Sequence, residues 1–247
     1  LDSTFEQPAF CNCISTSETI MTDLTLVYFK MRALAEAPQM MLRYRDHPYQ
    51  YAMGWDYFGK PWAEAKSEAA YRQLPMLVTE DGTRITQTGA IMRYLARRLD
   101  LMPTDPIMAA FADEVFEGAH ELFAPLNPVV NFRTGDAFRD ACEGCLSILT
   151  ARFADFERLL ARHAGPFFLG ETAWFCDFAA FHHIDLSHFI DEAILADFPR
   201  LHEFTEAMRA LPGIGAYLGE RPELMGVGVG PKLVINGVPV PTGVMAD

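Results

Sequence analysis

The run Leu24 to Phe29 (LTLVYF) is short, apolar and rich in β-favouring residues, and it predicts a first strand. Ala35 to Arg45 then places Ala37, Met41 and Leu42 at helical spacing, with Pro38 confined to the first turn, where proline is tolerated. Tyr49 to Met53 is a second strand candidate. Gly54 to Arg72, punctuated by Gly54, Gly59 and Pro61, predicts a loop holding a short helix around Ala63 to Tyr71. Leu74 to Thr79 and Arg84 to Thr86 flank Asp81-Gly82, and an Asp-Gly pair between two β-prone runs marks a hairpin. A helix over Thr88 to Leu99 follows. The order is β-α-β, a loop, then β-β-α, within the ~90 residues natural to a small α/β domain, here residues 23–101.

Met102 to Pro106, with two prolines and an aspartate, predicts a linker (102–106). Beyond it the period is helical, with candidates at Ile107 to Leu126, Asp136 to Ala164, Asp177 to Ile190, Pro199 to Leu211 and Gly213 to Arg221. The region 107–225 is therefore expected to be an all-α helical bundle. The tail, 226–247, is rich in Gly, Val and Pro and is excluded from helix; it packs as an extended strap or stays mobile. Leu1 to Ile20 is polar and lacks the basic start and apolar centre of a signal peptide; Met21 reads as a natural start, and 1–22 as a flexible leader outside the fold.

A formal charge of −13 over 247 residues repels phosphate backbones and acidic lipid, which argues against nucleic acid and membrane surfaces as partners. No apolar run approaches the ~20 residues that a spanning helix requires. The five cysteines, an odd number in a chain that is 50% apolar, favour a reducing, cytoplasmic setting over a disulfide framework. Cys142 and Cys145 form a C-x-x-C in mid-helix, without the strand and turn a redox motif needs, and read as helix packing. Glu114, Glu117, His120 and Glu121, and again Asp177, His182, His183, Asp185, His188 and Asp191, suggest metal spacing but lack a repeated partner motif, so no metal is expected.

Three local features carry chemistry. Leu74-Pro75 opens a strand just before the hairpin, where proline spoils a central ladder. Either the bond is cis and leaves Leu74 able to pair outward, or this is an ordinary trans proline at a strand start. Thr86-Gln87-Thr88 precedes a helix, where polar side chains and free N–H groups make an anion pocket or simply an N-cap. Tyr28 ends the first strand, near the mouth of the sheet or merely in the core.

Together with LTLVYF, ALAEA, QLPMLVTEDG, TQTGAIMRYLARRL, FFLGETAWFCDFAAF and FPRLHEFTEAMRALPGIGAYL, these features resemble the cytosolic glutathione S-transferases over roughly Leu24 to Arg221. Tyr28-Phe29 followed by Met31-Arg32 and Ala35-Glu36 is most similar to the sigma class, which includes haematopoietic-type prostaglandin D synthases and lens S-crystallins. The resemblance implies a thioredoxin-like domain followed by the helical bundle, and an enzyme that transfers glutathione to small apolar electrophiles. It makes Tyr28 the catalytic residue, donating to the glutathione sulfur. Gln87 and Thr88 would hold the γ-glutamyl carboxylate, Leu74 beside cis-Pro75 the cysteinyl backbone, Trp62 and Lys66 (a W-x-x-x-K pattern) the glycyl carboxylate. Gln73 adjoins them, and Asp113 would reach across a homodimer to the neighbouring glutamyl amine. Phe29, Met31, His120 and Phe123, with the tail as a further candidate wall, would bound the electrophile, and glutathione would be a co-substrate, with no tightly bound cofactor. Prostaglandin-type isomerisation, peroxide reduction and a crystallin-like protein with little turnover remain alternatives.

Three departures matter. Leu34 stands where sigma sequences commonly carry a second arginine, Gln73 where a lysine is common, and Trp174 where the core helix's capping box should open with Ser or Thr. Half of that reciprocal cap is therefore expected to be missing, unless Thr172 substitutes from further out.

Overall fold

In a computed structural model, which describes residues 23–245, the N-terminal half is built on β1 (Thr25–Tyr28), α1 (Glu36–Tyr44) and β2 (Gln50–Met53). Two short helices follow, α2 (Gly54–Phe58) and α3 (Trp62–Ala65), then two 3-10 turns, Lys66–Glu68 and Ala70–Arg72. The hairpin is β3 (Met76–Val78) and β4 (Arg84–Thr86), and α4 (Thr88–Arg98) closes this half. The sheet runs β2-β1-β3-β4, with β1 parallel to β2 and the other pairs antiparallel. This is the expected thioredoxin-like arrangement. The single helix expected around Ala63 to Tyr71 is broken instead. Gly59, at φ 65°, ends α2, Pro61 precedes α3, and Tyr71 and Arg72 are both left-handed, at φ 60° and 54°.

The helical half comprises α5 (Pro106–His120), α6 (Phe123–Phe132), α7 (Gly135–Leu160), α8 (Phe175–Ser187), α9 (Pro199–Ala210) and α10 (Ile214–Glu220). The one helix expected from Ile107 to Leu126 is two helices. In a continuous helix Pro125 would leave the Glu121 carbonyl without a donor; in α6 it lies in the first turn, where no such donor is needed. Asp105 caps α5 through Ile107 N and Met108 N, so the helix begins at Pro106, inside the expected linker. Every residue of α8 is buried, and the helix packs against α5, α1 and α9, at the centre of the molecule.

The cap of α8 corrects an expectation. An indole offers no acceptor, yet the Asp177 N–H is satisfied by the Trp174 carbonyl (3.0 Å), while the Asp177 carboxylate accepts from Trp174 N (2.8 Å) and Phe168 N (3.1 Å). No hydroxyl is needed. Burial pushes the Asp177 carboxyl up to about 7, against the pull of those two N–H groups.

The helical region stops at Glu220 rather than 225, because Pro222 forces Arg221 into extended backbone. The tail is neither a mobile segment nor a single strap: β5 (Glu223–Met225), β6 (Lys232–Ile235) and β7 (Val238–Pro241) form a three-stranded antiparallel sheet. Asn236 and Gly237, at φ 51° and 78°, make its tight turn, and the prolines of β7 lie on the sheet's edge. This sheet staples the two halves together. Gly243 N donates to Lys30 O (2.9 Å), the Thr242 hydroxyl to Asn131 O (2.6 Å) and Gly135 N to Gly228 O (2.8 Å).

A buried ion cluster also joins the halves. Asp185 of α8 accepts from Arg32 (2.7 Å), Arg221 (2.6 Å) and Arg209 of α9 (2.8 Å), and Arg221 also reaches Glu36 of α1 (2.6 Å). Burial pushes the Asp185 carboxyl up, but Arg221 and Arg32 more than reverse this and hold it well below the usual carboxylate range. Next to it, both ring nitrogens of His182 lack a hydrogen-bond partner among the described residues. Burial, with Arg32 and Arg221 nearby, lowers its pKa from 6.5 to about 3, against the opposing pull of Asp185. The unfolded chain therefore binds a proton below pH 6.5 that the native state refuses, so stability is full above that pH and falls as pH drops toward 3. We predict that wild type loses about 2 kcal/mol more than His182→Met between pH 7.5 and pH 5. Urea unfolding at the two pH values checks this, and equal losses would refute it.

None of the helices among the described residues is long and apolar enough to cross a membrane. The leader expected at 1–22, with Cys11 and Cys13, lies outside the described residues, as does the end of the tail beyond residue 245.

Candidate active site

A cavity of about 410 Å³ opens between the thioredoxin-like sheet and the helical half. Tyr28 lies at its floor because β1 ends there, paired through Tyr28↔Met53 with β2. The phenol is 3% exposed. Burial raises its pKa above the ordinary 10.0, and the backbone N–H of Leu34 pulls only weakly the other way. At neutral pH the group is a phenol, with a proton to donate. The turn that carries Leu34 thus brings a main-chain N–H toward the phenol, although the side chain is apolar.

The second wall comes from the hairpin. Leu74-Pro75 is a cis peptide just ahead of β3, and both residues line the cavity with Gln73. Gln87, at φ 72°, turns the chain between β4 and α4 in a conformation that non-glycine residues rarely adopt. This aims the start of α4 at the cavity, where Thr86, Gln87 and Thr88 all border it. Thr88 is buried, and its hydroxyl has no hydrogen-bond partner among the described residues. An orphaned hydroxyl beside unpaired N–H groups at a helix N-terminus is a binding position for a carboxylate.

The helical half supplies the third wall. His120, the last residue of α5, is sandwiched between Phe116 and Phe123, with interplanar angles of 12° and 6°. Burial lowers its pKa, so the imidazole is neutral and adds flat apolar surface. Phe29 and Met31 face it from the turn after β1, and Phe29 meets Trp62 edge-on at 5.3 Å.

Of the residues singled out in the sequence, Tyr28, Phe29, Met31, Trp62, Gln73 and Leu74 border this one cavity, as do Pro75, Gln87, Thr88, His120 and Phe123. Two do not. Lys66 sits exposed on a 3-10 turn outside the lining, although its backbone stays helical and its N–H bonds the Trp62 carbonyl. Asp113 lies on α5 outside the cavity of its own chain and pairs with Arg93 (2.7 Å). Residues the sequence reading missed include Arg72, Asn127, Phe132 and Val244. Arg72 is the one Lys or Arg in the lining; its position next to Gln73 was the available signal. Val244 arrives from the tail, and only the sheet's placement reveals it.

Cys142, Cys145 and Cys176 are free thiols, and burial raises the pKa of each, so they are poor nucleophiles. Among the described residues no group of three His, Cys, Asp or Glu side chains could hold a metal.

Residues 24–97 match the glutathione S-transferase N-terminal domain, and 139–221 the glutathione S-transferase C-terminal domain. Glutathione S-transferase P 10 of Caenorhabditis elegans is 32% identical over 198 residues, covering 79% of this chain and 90% of that protein. Glutathione S-transferase Mu 1 of Macaca fascicularis is 30% identical, covering 79% and 90%. Among solved structures, the Pi-class glutathione S-transferase of Onchocerca volvulus superposes with a TM-score of 0.70 at 28% identity, covering 80% of this chain and 93% of that one.

Proposed function

The chain belongs to the glutathione S-transferase family and is an enzyme of that family, and from that premise we propose that Tyr28 activates the glutathione thiol for attack on small apolar electrophiles. The observation that carries this reading is the buried, protonated phenol at the floor of the cavity. A thiol with a pKa near ~8.5 is mostly protonated at neutral pH. A phenol that donates to the sulfur stabilises the thiolate selectively, the thiol proton leaves to solvent, and the sulfur's lone pair forms the bond to the electrophilic carbon. The leaving group departs with its electron pair, or the carbon adduct takes up a proton.

Thr88 and the N-terminus of α4 receive the γ-glutamyl carboxylate, Leu74 beside Pro75 pairs with the cysteinyl backbone, and Trp62 borders the glycyl end. Arg72 takes the cationic part that Lys66 is badly placed to play. The electrophile lies among Phe29, Met31, His120, Phe123, Phe132 and Val244. Thr88→Val is expected to raise the KM for glutathione at least 10-fold, the loss of a hydrogen bond to a charged group, with a much smaller change in kcat. Steady-state kinetics check this; an unchanged KM would place the carboxylate elsewhere. The experiment that tests the whole reading is titration of the bound thiol by its ultraviolet absorbance. The saturated enzyme should ionise about two pH units below free glutathione.

A homodimer, with Asp113 reaching the neighbouring site, is supported by surface that a lone chain leaves uncovered. Tyr71 is 74% exposed next to the cavity, and Ile107 and Phe111, at 64% and 46%, share α5 with Asp113. Tyr71→Ala is expected to shift the protein toward monomer in sedimentation. The free thiols favour the cytoplasm. The sigma-class reading rests on the residues around Tyr28, whereas the relatives reported above carry P, Pi and Mu names. A second reading, a binding protein with little turnover, is favoured by Leu34, which leaves the Tyr28 end of the cavity apolar. Brisk turnover over a panel of electrophiles would dispose of it.

A further inference from the structure

A second cavity, of about 250 Å³, lies on the other side of Phe29 and Met31, which line both spaces. Its walls are Tyr51 and Met53 of β2, Tyr217 of α10, and Leu233 and Ile235 of β6. The roof is therefore supplied by the tail sheet, beyond residue 221, where the C-terminal family match ends. Arg32 and Glu36 border the space too, but their charges are committed: Arg32 to Asp185 at 2.7 Å, Glu36 to Arg221 at 2.6 Å. Tyr51's hydroxyl is likewise occupied, donating to Phe29 O at 3.0 Å. A charged guest would lose its hydration and meet charges already paired with one another, the Arg32 Nε, 3.5 Å from Glu36 and without a hydrogen bond among the described residues, being the one strong donor left over.

We propose that this second cavity is a binding site for a small, neutral, flat apolar molecule of bicyclic size, separate from the site of the transfer reaction. Size sets the upper limit. An apolar cavity of about 150 Å³ takes a benzene ring, and one of 250 Å³ accommodates two fused rings. Neutrality follows from the satisfied ion pairs, and flatness suits a space bounded by aromatic and branched side chains. The inference stands whether or not Tyr28 performs the role assigned to it, because none of the groups that would hold glutathione belongs to the second cavity except the shared wall.

The test measures indole binding to the full-length protein by calorimetry, with and without S-hexylglutathione filling the first cavity. The expected result is one indole per chain in the presence of S-hexylglutathione, and at least 10-fold weaker binding of 1-naphthoate, which adds a carboxylate to a similar body. Leu233→Trp should fill the space and abolish that binding while leaving the affinity for S-hexylglutathione unchanged. Ile235→Phe, a smaller change on the same strand, gives a second reading should the tryptophan unsettle β6. Should S-hexylglutathione itself fail to bind, the proposed transfer reaction is in trouble, yet loss of one indole equivalent in Leu233→Trp still reports on this cavity. Indole binding that disappears whenever the first cavity is filled, or that survives both substitutions unchanged, overturns the proposal.

Discussion

Tyr28→Phe is expected to conjugate glutathione about 50-fold more slowly than wild type at pH 6.5, with the deficit shrinking toward parity above about pH 9. The size follows from a two-unit shift in the thiol's pKa, about 2.7 kcal/mol of selective stabilisation of the anion. At pH 6.5 a thiol ionising near 6.5 is half thiolate, while one at ~8.5 is about 1% thiolate. In alkali both are ionised and the phenol has nothing left to contribute. The phenol cannot interfere in this range, because burial holds its own ionisation above the ordinary 10.0. The KM for glutathione should change little, since its carboxylates and backbone are held elsewhere. A pH-rate profile of both proteins decides the matter. A variant that keeps the wild-type rate at pH 6.5 would remove Tyr28 from the mechanism, and a deficit independent of pH would assign it a positioning role instead.

Asp185→Ala is expected to destabilise the protein by about 3–5 kcal/mol, the cost of stranding buried guanidinium groups. Arg32 and Arg221 have side chains 8% and 10% exposed and share this carboxylate, so neither can turn to water when it is lost. Arg209→Ala serves as the control. Its side chain is 39% exposed, and its removal should cost under about 1 kcal/mol. Urea unfolding followed by far-ultraviolet dichroism distinguishes the two cases. Comparable losses for both variants would mean that the cluster is solvated in solution, whatever its geometry.

Much of the fold was legible because its signals are local. The Asp81-Gly82 turn, the β1 run and the polar Thr86-Gln87-Thr88 start of α4 each announce themselves within a few residues, and they bring Tyr28, Leu74 and Thr88 to one cavity. The tail was misread although a signal was present: Asn236-Gly237 between LVI and VPV is a hairpin turn of the favoured kind. Prolines in β7 obscured it, and they are tolerated only because that strand is an edge. The split between α5 and α6 was likewise marked by Pro125, hidden by continuous apolar periodicity. Lys66 shows the limit of spacing arguments. Its N–H reaches the Trp62 carbonyl one helical turn back, yet its side chain stays exposed outside the cavity lining, so four-residue spacing alone does not bring both to one site. The tail was a candidate wall of the pocket, but that Val244 supplies it could not be read, since its place depends on pairing over a long sequence separation, with Gly243 meeting Lys30.

The division of the buried charges between the two halves limits how this protein can be taken apart. A cut between residues 101 and 106 would leave Arg32 with Glu36 on one fragment and Asp185 with Arg221 and Arg209 on the other, each keeping its own ion pair but losing the shorter cross-contacts Arg32–Asp185 and Arg221–Glu36. Split reporters, domain swaps with distant relatives and separate expression of the halves should therefore succeed only when both sides of that electrostatic joint travel together.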